Sequence, residues 1–370
     1  EVKKPKKNFN EPVIKELKNY DEILLKVLAN PSIASKAKCY NHYDKNVLGN
    51  SIIEAGQADA GLIRAVKGSK FGIALTADNN PKYGRINPYL AATNAVAESM
   101  RNIAAIGAVP SALTDCLCFG NPEKEEVFYD FKEAVKGIKD AAEKISYYKT
   151  KNPVPIISGN VSFYNESKTG KAIDPSPIIA CVGVMKNYSK AITMKIKKSG
   201  STLFLVGTRK DELGGSAYYE IFNELGKNVP KVDFEKEKSM IYSIIDSIND
   251  KLLLSCHDIS DGGLIITISE MILGGNADGN IGAEISIDFS QLRNDKTLFS
   301  ESSGFAFEVA HNNQDKVKKI FEKNNLKIVE IGKTINKEKL IIKKQNKEII
   351  NLEIEKLKEA WTTGFVKALE

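Results

Sequence analysis

Short apolar runs that end repeatedly in polar or acidic residues constrain this chain more than any other feature. Ile73-Ala-Leu75 leads to Asp78, Ala112-Leu113-Thr114 to Asp115, and Val154-Pro-Ile-Ile157 to Ser158-Gly159-Asn160. Each reads as a buried strand delivering polar groups at its end. Helical periodicity fills the gaps. Residues 90–106 carry Val96, Met100, Ile103 and Ile106 at helical spacing, and Gly107 then Pro110 mark the stop. Residues 127–146 repeat the pattern with Phe128, Phe131, Val135, Ile138 and Ala142, and strand-like Ile178–Met185 closes a first unit. This mixture predicts an α+β fold with helices packed on sheets.

At 370 residues the chain is long for one core, so two domains are expected, with the boundary near Asn187–Lys195. The second unit opens with the strand Thr202–Val206 and continues through helices at about 215–224 and 236–249. The strand Leu252–Cys256 then leads into His257-Asp-Ile-Ser-Asp-Gly-Gly-Leu264 and a helix to about Leu273. Phe305–Ala310 and Lys327–Ile331 read as later strands around a helix at about 314–323. Residues 1–30 form a polar lead and an amphipathic helix whose apolar side is Val13, Leu17, Ile23, Leu24, Val27 and Leu28. The opening Glu1-Val-Lys-Lys-Pro-Lys-Lys-Asn8 has no initiator methionine and no apolar stretch behind it. It reads as the start of an excised segment or a linker, not as a signal peptide.

Composition narrows the function classes. The net charge of +6 is small for this length, and lysines alternate with acids, as in Glu235–Lys238, so no nucleic-acid partner is expected. No run approaches the ~18–20 apolar residues of a membrane helix, so no membrane partner is expected either. Five cysteines, an odd number at low density, argue for a reducing, cytoplasmic compartment. Cys116 and Cys118 lack a second pair at zinc spacing and read as neighbours on one strand face. The sequence has no Walker A motif, no G-x-G-x-x-G and no G-x-S-x-G elbow.

Three segments could carry chemistry. In Ser158-Gly-Asn-Val-Ser-Phe-Tyr-Asn-Glu166, Gly159 permits close backbone approach, Asn160 offers a carbonyl oxygen to a hard cation, and Ser162 offers a hydroxyl. A plain turn is the alternative. In Leu113-Thr-Asp-Cys-Leu-Cys-Phe-Gly-Asn-Pro-Glu123, Asp115 follows an apolar run, where a carboxylate must be paired, bind something or cap the next turn. In His257-Asp258-Ile-Ser-Asp261-Gly262-Gly263, a helix start capped by Ser260 or Asp261 is favoured over a metal site, and free N–H groups there would suit an anion.

These segments resemble a known family. Ser158–Glu166 is similar to the S-G-N-V-S-x-Y-N-E stretch of the small-type formylglycinamide ribonucleotide amidotransferases, and Leu113–Glu123 to their L-T-D-C-L-N-F-G-N-P-E stretch. Thr76–Tyr83, Leu213–Ser216, His257–Leu264 and Leu298–Glu301 match further motifs in the same order, from about Ile33 to Trp361. The resemblance is to the family's C-terminal half. It implies a purM-like N-terminal domain at 1–190 and a purM-like C-terminal domain at 191–370. It implies an ATP-dependent ligase of purine biosynthesis that phosphorylates an amide oxygen and displaces the phosphate with ammonia. Carried over by motif, Asp115 and Gly159 contact ATP, Asn160 ligates Mg2+, and Ser162 contacts formylglycinamide ribonucleotide. The family's catalytic histidines and phosphate-binding lysine belong to its N-terminal half, so no catalytic residue is assigned here. The partners implied are that N-terminal half, a glutaminase subunit, a small accessory subunit and a second copy in a homodimer.

Departures from the pattern are Cys118 in place of asparagine, Lys45 in Tyr43-Asp44-Lys45 where histidine is common, and extra residues around Ser146–Asn152. His42 does not occupy the histidine position and is not read as catalytic. Two alternatives stand beside this expectation. One is an autonomous purM-like enzyme of the aminoimidazole ribonucleotide synthetase, selenophosphate synthetase or thiamine monophosphate kinase type. The other is a non-catalytic nucleotide-binding or oligomerisation scaffold.

Overall fold

The computed structural model describes residues 5, 7–43 and 47–370, so Asp44 and Lys45, and most of the opening lysine-rich lead, lie outside the described residues. The helix α1 (Asp21–Leu28) and the short turn α2 (Ala37–Tyr40) precede a six-stranded sheet. Its strands are β1 (Ser51–Ile53), β2 (Gly61–Arg64), β3 (Gly72–Asp78), β4 (Val109–Cys118), β5 (Ile156–Ser162) and β6 (Ser176–Met185), in the spatial order β1-β2-β3-β6-β4-β5. β4 and β5 are parallel, and the other neighbours are antiparallel. The helices α3 (Pro81–Ile86), α4 (Pro88–Ala105) and α5 (Glu125–Ile145) complete the unit.

Local chemistry explains these starts. The Asn80 side chain accepts from Lys82 N and Tyr83 N ahead of Pro81, and the Asn87 side chain accepts from Leu90 N ahead of Pro88. Both are asparagine caps followed by proline at the first helical position. α4 is buried on almost every side because Ala91, Ala92, Ala95 and Ala97 let the neighbouring layers come close. A Cβ at Gly137 of α5 would lie 2.5 Å from the Tyr89 carbonyl oxygen, so that glycine sets the α4–α5 spacing.

The second unit holds a seven-stranded sheet ordered β13-β12-β9-β11-β7-β10-β8. Its strands are β7 (Thr202–Val206), β8 (Leu253–Asp258), β9 (Gly282–Ser286), β10 (Phe305–Val309), β11 (Val329–Ile335), β12 (Lys339–Lys344) and β13 (Lys347–Glu353). Its helices are α6 (Ala217–Glu220), α7 (Phe234–Asn249), α8 (Gly263–Leu273), α9 (Asn294–Phe299), α10 (Gln314–Lys323) and α11 (Ile354–Lys367). The mixed sheets and layered helices are the expected α+β fold. The helix expected over 215–224 is only the one-turn α6, because Gly226 lies against the Tyr219 ring and the chain bends back.

Two features cross the boundary near residue 190. α1 packs on α11, α8 and β13, so Ile23, Leu24, Val27 and Leu28 belong to the second unit's core. Val13 was expected on that apolar side but is fully exposed. The extra segment around Ser146–Asn152 docks on α7 rather than extending into solvent. Tyr148 and Lys149 both bind Asp246, and Tyr242 donates to the Tyr147 carbonyl at 2.9 Å.

Candidate functional site

The expected site residues gather on β4 and β5 at the sheet edge. Asp115 lies directly across from Gly159, Cys116 from Asn160, and Cys118 from Ser162. Strand alternation therefore divides them between two faces. Asp115 and Gly159 share the face that carries buried Leu113 and Leu117 on β4. Asn160 and Ser162 share the open face with the two cysteines, whose Sγ atoms are 3.7 Å apart. Neither Asp115 nor Asn160 is in a turn: β4 continues to Cys118 and β5 to Ser162, and after an irregularity between Leu113 and Thr114 the pairing register is regular from Thr114–Ser158 to Cys118–Ser162.

The glycine at 159 has a specific cause. A Cβ there would lie 2.6–2.8 Å from the Asp115 carboxyl atoms, so the aspartate occupies the space a side chain would need. Partial burial pushes the Asp115 carboxyl up from its ordinary value. Ser162 is held by Asn165, whose Nδ2 donates to Ser162 Oγ (3.1 Å), Ser162 O (2.8 Å) and Phe119 O (3.0 Å). The backbone pins the two motifs together as well, through Asn165 N to Phe119 O (3.1 Å) and Tyr164 N to Gly120 O (3.0 Å). Glu166 accepts from Asn121 N and Lys124 Nζ, and the lysine holds its carboxyl below the usual value. Asn165 and Glu166 thus position the site. The motif contained them, but nothing in their spacing separated positioning from contact.

A second polar cluster lies in the cleft between the units. β3 ends at Asp78, α4 contributes Glu98, Arg101 and Asn102, and β8 ends at Asp258 ahead of Asp261. Asn102 Nδ2 donates to Asp78 Oδ1 at 2.9 Å, and Thr76 Oγ1 to Asp78 Oδ2 at 3.0 Å. Arg101 binds Glu237 at 2.9 Å and Asp258 at 3.3 Å, with all three side chains almost fully buried. Glu301 accepts from Gly262 N, Ala217 N and the Tyr83 hydroxyl. Burial pushes Asp78 and Asp258 up to about 7 and Glu301 to about 8, and raises Glu98 and Asp261 as well. The Oδ1 atoms of Asn79 and Asn102 are buried without partners. Carboxylates and amide oxygens of this kind suit a hard divalent cation. The sequence signal was available in Asp78 at a strand end and in Glu98 and Asn102 four apart on one helix face.

His257 is held on both sides by carboxylates. Its Nδ1 bonds Asp59 at 2.6 Å and its Nε2 bonds Glu270 at 3.0 Å. Burial opposes a charge there, but the two carboxylates outweigh it and hold the imidazolium well above its ordinary value. Asp59, His257 and Asp258 offer atoms within 4.8 Å of one another, yet both ring nitrogens are already committed, which leaves a metal nothing to bind on the histidine. The helix start differs from expectation. Gly262 is the N-cap of α8 and no side chain caps it. Gly262 N is taken by Glu301 and Gly263 N by the Ser260 carbonyl, so those groups are not free for an anion. Gly262 and Gly263 both have positive φ, and a Cβ at Gly263 would sit 2.6 Å from Ser300 O.

Comparison with known proteins follows this architecture. Residues 57–185 match the N-terminal domain of AIR synthase related proteins, and residues 198–345 match their C-terminal domain. Over 98% of the chain, 47% of residues are identical to phosphoribosylformylglycinamidine synthase subunit PurL of Methanothrix thermoacetophila, of which 47% is covered. The PurL subunit of Methanococcus aeolicus is 40% identical over 97% of the chain, with 47% of that protein covered. The structure titled "T. maritima PurL complexed with FGAR" aligns with a TM-score of 0.72 at 18% identity, covering 91% of this chain and 53% of that one. The chain spans about half the length of the curated relatives it matches. It belongs to the AIR synthase related family.

Proposed function

We propose, from that membership, that the chain is the C-terminal half of an ATP-dependent ligase of purine biosynthesis. The ligase converts formylglycinamide ribonucleotide and glutamine-derived ammonia to formylglycinamidine ribonucleotide. The γ-phosphoryl of ATP passes to the amide oxygen, ammonia adds at the carbon, and phosphate leaves. The domains are 1–190 and 191–370, with α1 packed onto the second. Asp115 and Gly159 contact ATP, Asn160 ligates Mg2+, and Ser162 contacts the ribonucleotide. The carrying observation is that two motifs far apart in sequence are bonded together at one sheet edge, with Asn160 and Ser162 presented outward. No carboxylate shares their face along β4 and β5, so these two strands offer a cation at Asn160 no charged ligand.

The same face supports an N-terminal half as partner. Ile63 and Leu75 lie on it at 47% and 56% exposure, an unusual position for large apolar side chains in a sheet. A glutaminase, a small accessory subunit and a second copy complete the proposed assembly, in the cytoplasm. Among the described residues no helix is long and apolar enough to cross a membrane. The autonomous-enzyme and scaffold alternatives gain no observation of their own.

The test is reconstitution. The purified chain with ATP, Mg2+, ammonia and formylglycinamide ribonucleotide forms no product, because losing the positioning of reactants costs many orders of magnitude in rate. Adding the matching N-terminal half restores synthesis. Turnover by this chain alone would overturn the half-site arrangement.

A further inference from the structure

Where β7 ends, the chain leaves the second sheet through Gly207, Thr208, Arg209 and Lys210, beside a cavity of about 540 Å3. That volume falls within the range of pockets that enclose small organic ligands. Its inner wall is apolar, formed by Leu205, Met240, Phe289, Leu292, Leu326 and Val329. Its charged lining is unbalanced: Arg209, Lys210, Lys236 and Lys327 stand against Asp233 alone. Gly207 shapes the turn. Its φ is +105°, and a Cβ there would lie 2.4 Å from Ser303 O, so only glycine lets the turn close against the strand approach to β10.

Arg209 is the least compensated of these cations. It is 5% exposed, with Nη1 and Nη2 on the carbonyl oxygens of Ser300 (3.3 Å) and Ser303 (2.9 Å), while Nε is buried without a partner. The acid that best offsets it, Glu212, already accepts from Ser302 Oγ and Lys231 N. Burial pulls the Arg209 guanidinium down to about 9. Lys236 pairs with Asp233 at 3.3 Å, and Lys210 lies 3.5 Å from Glu212. Lys327 is exposed and has no ion-pair partner among the described residues.

We infer that this cavity is a small-molecule site for a phosphomonoester bearing an apolar ring. The cationic mouth takes the dianionic phosphate, and the wall of Leu205, Met240 and Phe289 takes the ring. A carboxylate ligand would leave most of the excess charge unmatched, and an uncharged one all of it. The site lies on the second unit, away from the β4–β5 edge, and does not depend on the function proposed for that edge.

The probe is AMP, titrated calorimetrically into the 370-residue protein at about 0.15 M salt to screen diffuse attraction. AMP binds, adenosine and ribose 5-phosphate each bind more weakly, and a crystal soaked in AMP shows it in this cavity. Lys327→Glu and Lys210→Glu each weaken AMP about tenfold, the loss of one charge-assisted contact. Lys356→Glu, the same charge change on exposed α11, leaves binding as it was. No AMP binding, equal binding of adenosine or ribose 5-phosphate, unaltered affinity in the Lys210 and Lys327 variants, or equal weakening by Lys356→Glu would each overturn the assignment.

Discussion

The Asn160 side chain on the edge strand is exposed and makes no hydrogen bond within the described residues, whereas the Asp78, Asp258 and Glu301 side chains in the cleft each accept bonds from other elements. The edge presents few charges to solvent. The cleft concentrates them away from the surface and joins α4 of the first unit to α7 and β8 of the second. Polar groups left unsatisfied at a surface call for an external partner, while polar groups satisfied in the interior define how the halves of the chain meet. The contrast separates an exposed contact edge from a buried junction of the two units, which also holds oxygen atoms fit for a cation.

Breaking the cleft is the sharpest test of that separation. Arg101→Leu leaves Glu237 and Asp258 buried beside a lost counter-charge, and about 3–5 kcal/mol of stability goes with it in urea unfolding. Asn160→Leu, by contrast, leaves the urea midpoint where it was. In the reconstituted enzyme it weakens magnesium-dependent turnover. Equal stability losses in the two variants would erase the distinction.

pH separates the regions in a second way. Asp78, Asp258 and Glu301 hold their protons to about 7, 7 and 8 in the folded chain, well above ordinary carboxylates. The folded state therefore binds more protons than the unfolded state from about pH 4 upward, and the stability this gives is lost as pH rises through 7–8. Thermal unfolding followed from pH 5 to pH 8 shows a falling midpoint. Mg2+ offsets that fall more at pH 8 than at pH 5 if the freed carboxylates bind it. A midpoint that rises across the window would mean the cleft acids are ionised throughout.

Smaller effects belong to the edge. Gly159→Ala forces the Asp115 carboxyl to move aside, at a cost of under about 1 kcal/mol because both positions lie on the exposed edge. In an Asp115→Ala background the cost disappears, a coupling that a double-mutant cycle reads directly. Ser162→Ala removes one neutral hydrogen bond, about 0.5–1.5 kcal/mol, and raises the KM for the ribonucleotide with little change for ATP. An effect confined to ATP would place Ser162 on the wrong ligand.

The layer pattern was legible because hydrophobic periodicity reports burial directly. Helices α4, α5, α7 and α10 stand close to where apolar spacing put them. The interior of β4 and β5 was read too short, since Asp115 and Asn160 looked like strand ends when they are polar residues within paired strands. An edge strand carries little burial signal, and β5 is exposed along nearly its whole length. The motifs identified Asp115, Gly159, Asn160 and Ser162 as neighbours but not their division between two faces, which depends on register. The cleft cluster was missed because Asp78, Arg101, Glu237 and Asp258 come from four separate elements, and only tertiary packing brings them together. The His257 segment was read as a helix start, whereas the side chain is held by carboxylates on both ring nitrogens.

The packing of α1 on the second unit sets an order of events in folding. Tyr20 N bonds Ile349 O, and Asn351 N bonds Asp21 Oδ1 across 330 positions of sequence. The helix is synthesised well before its docking surface on β13 and α11. Until then Ile23, Leu24, Val27 and Leu28 have no core to enter, and an isolated eight-residue helix does not hold its shape in water. Closing so long a loop is slow, which makes this docking a late step. A chaperone that binds short apolar segments would find α1 available until β13 and α11 emerge.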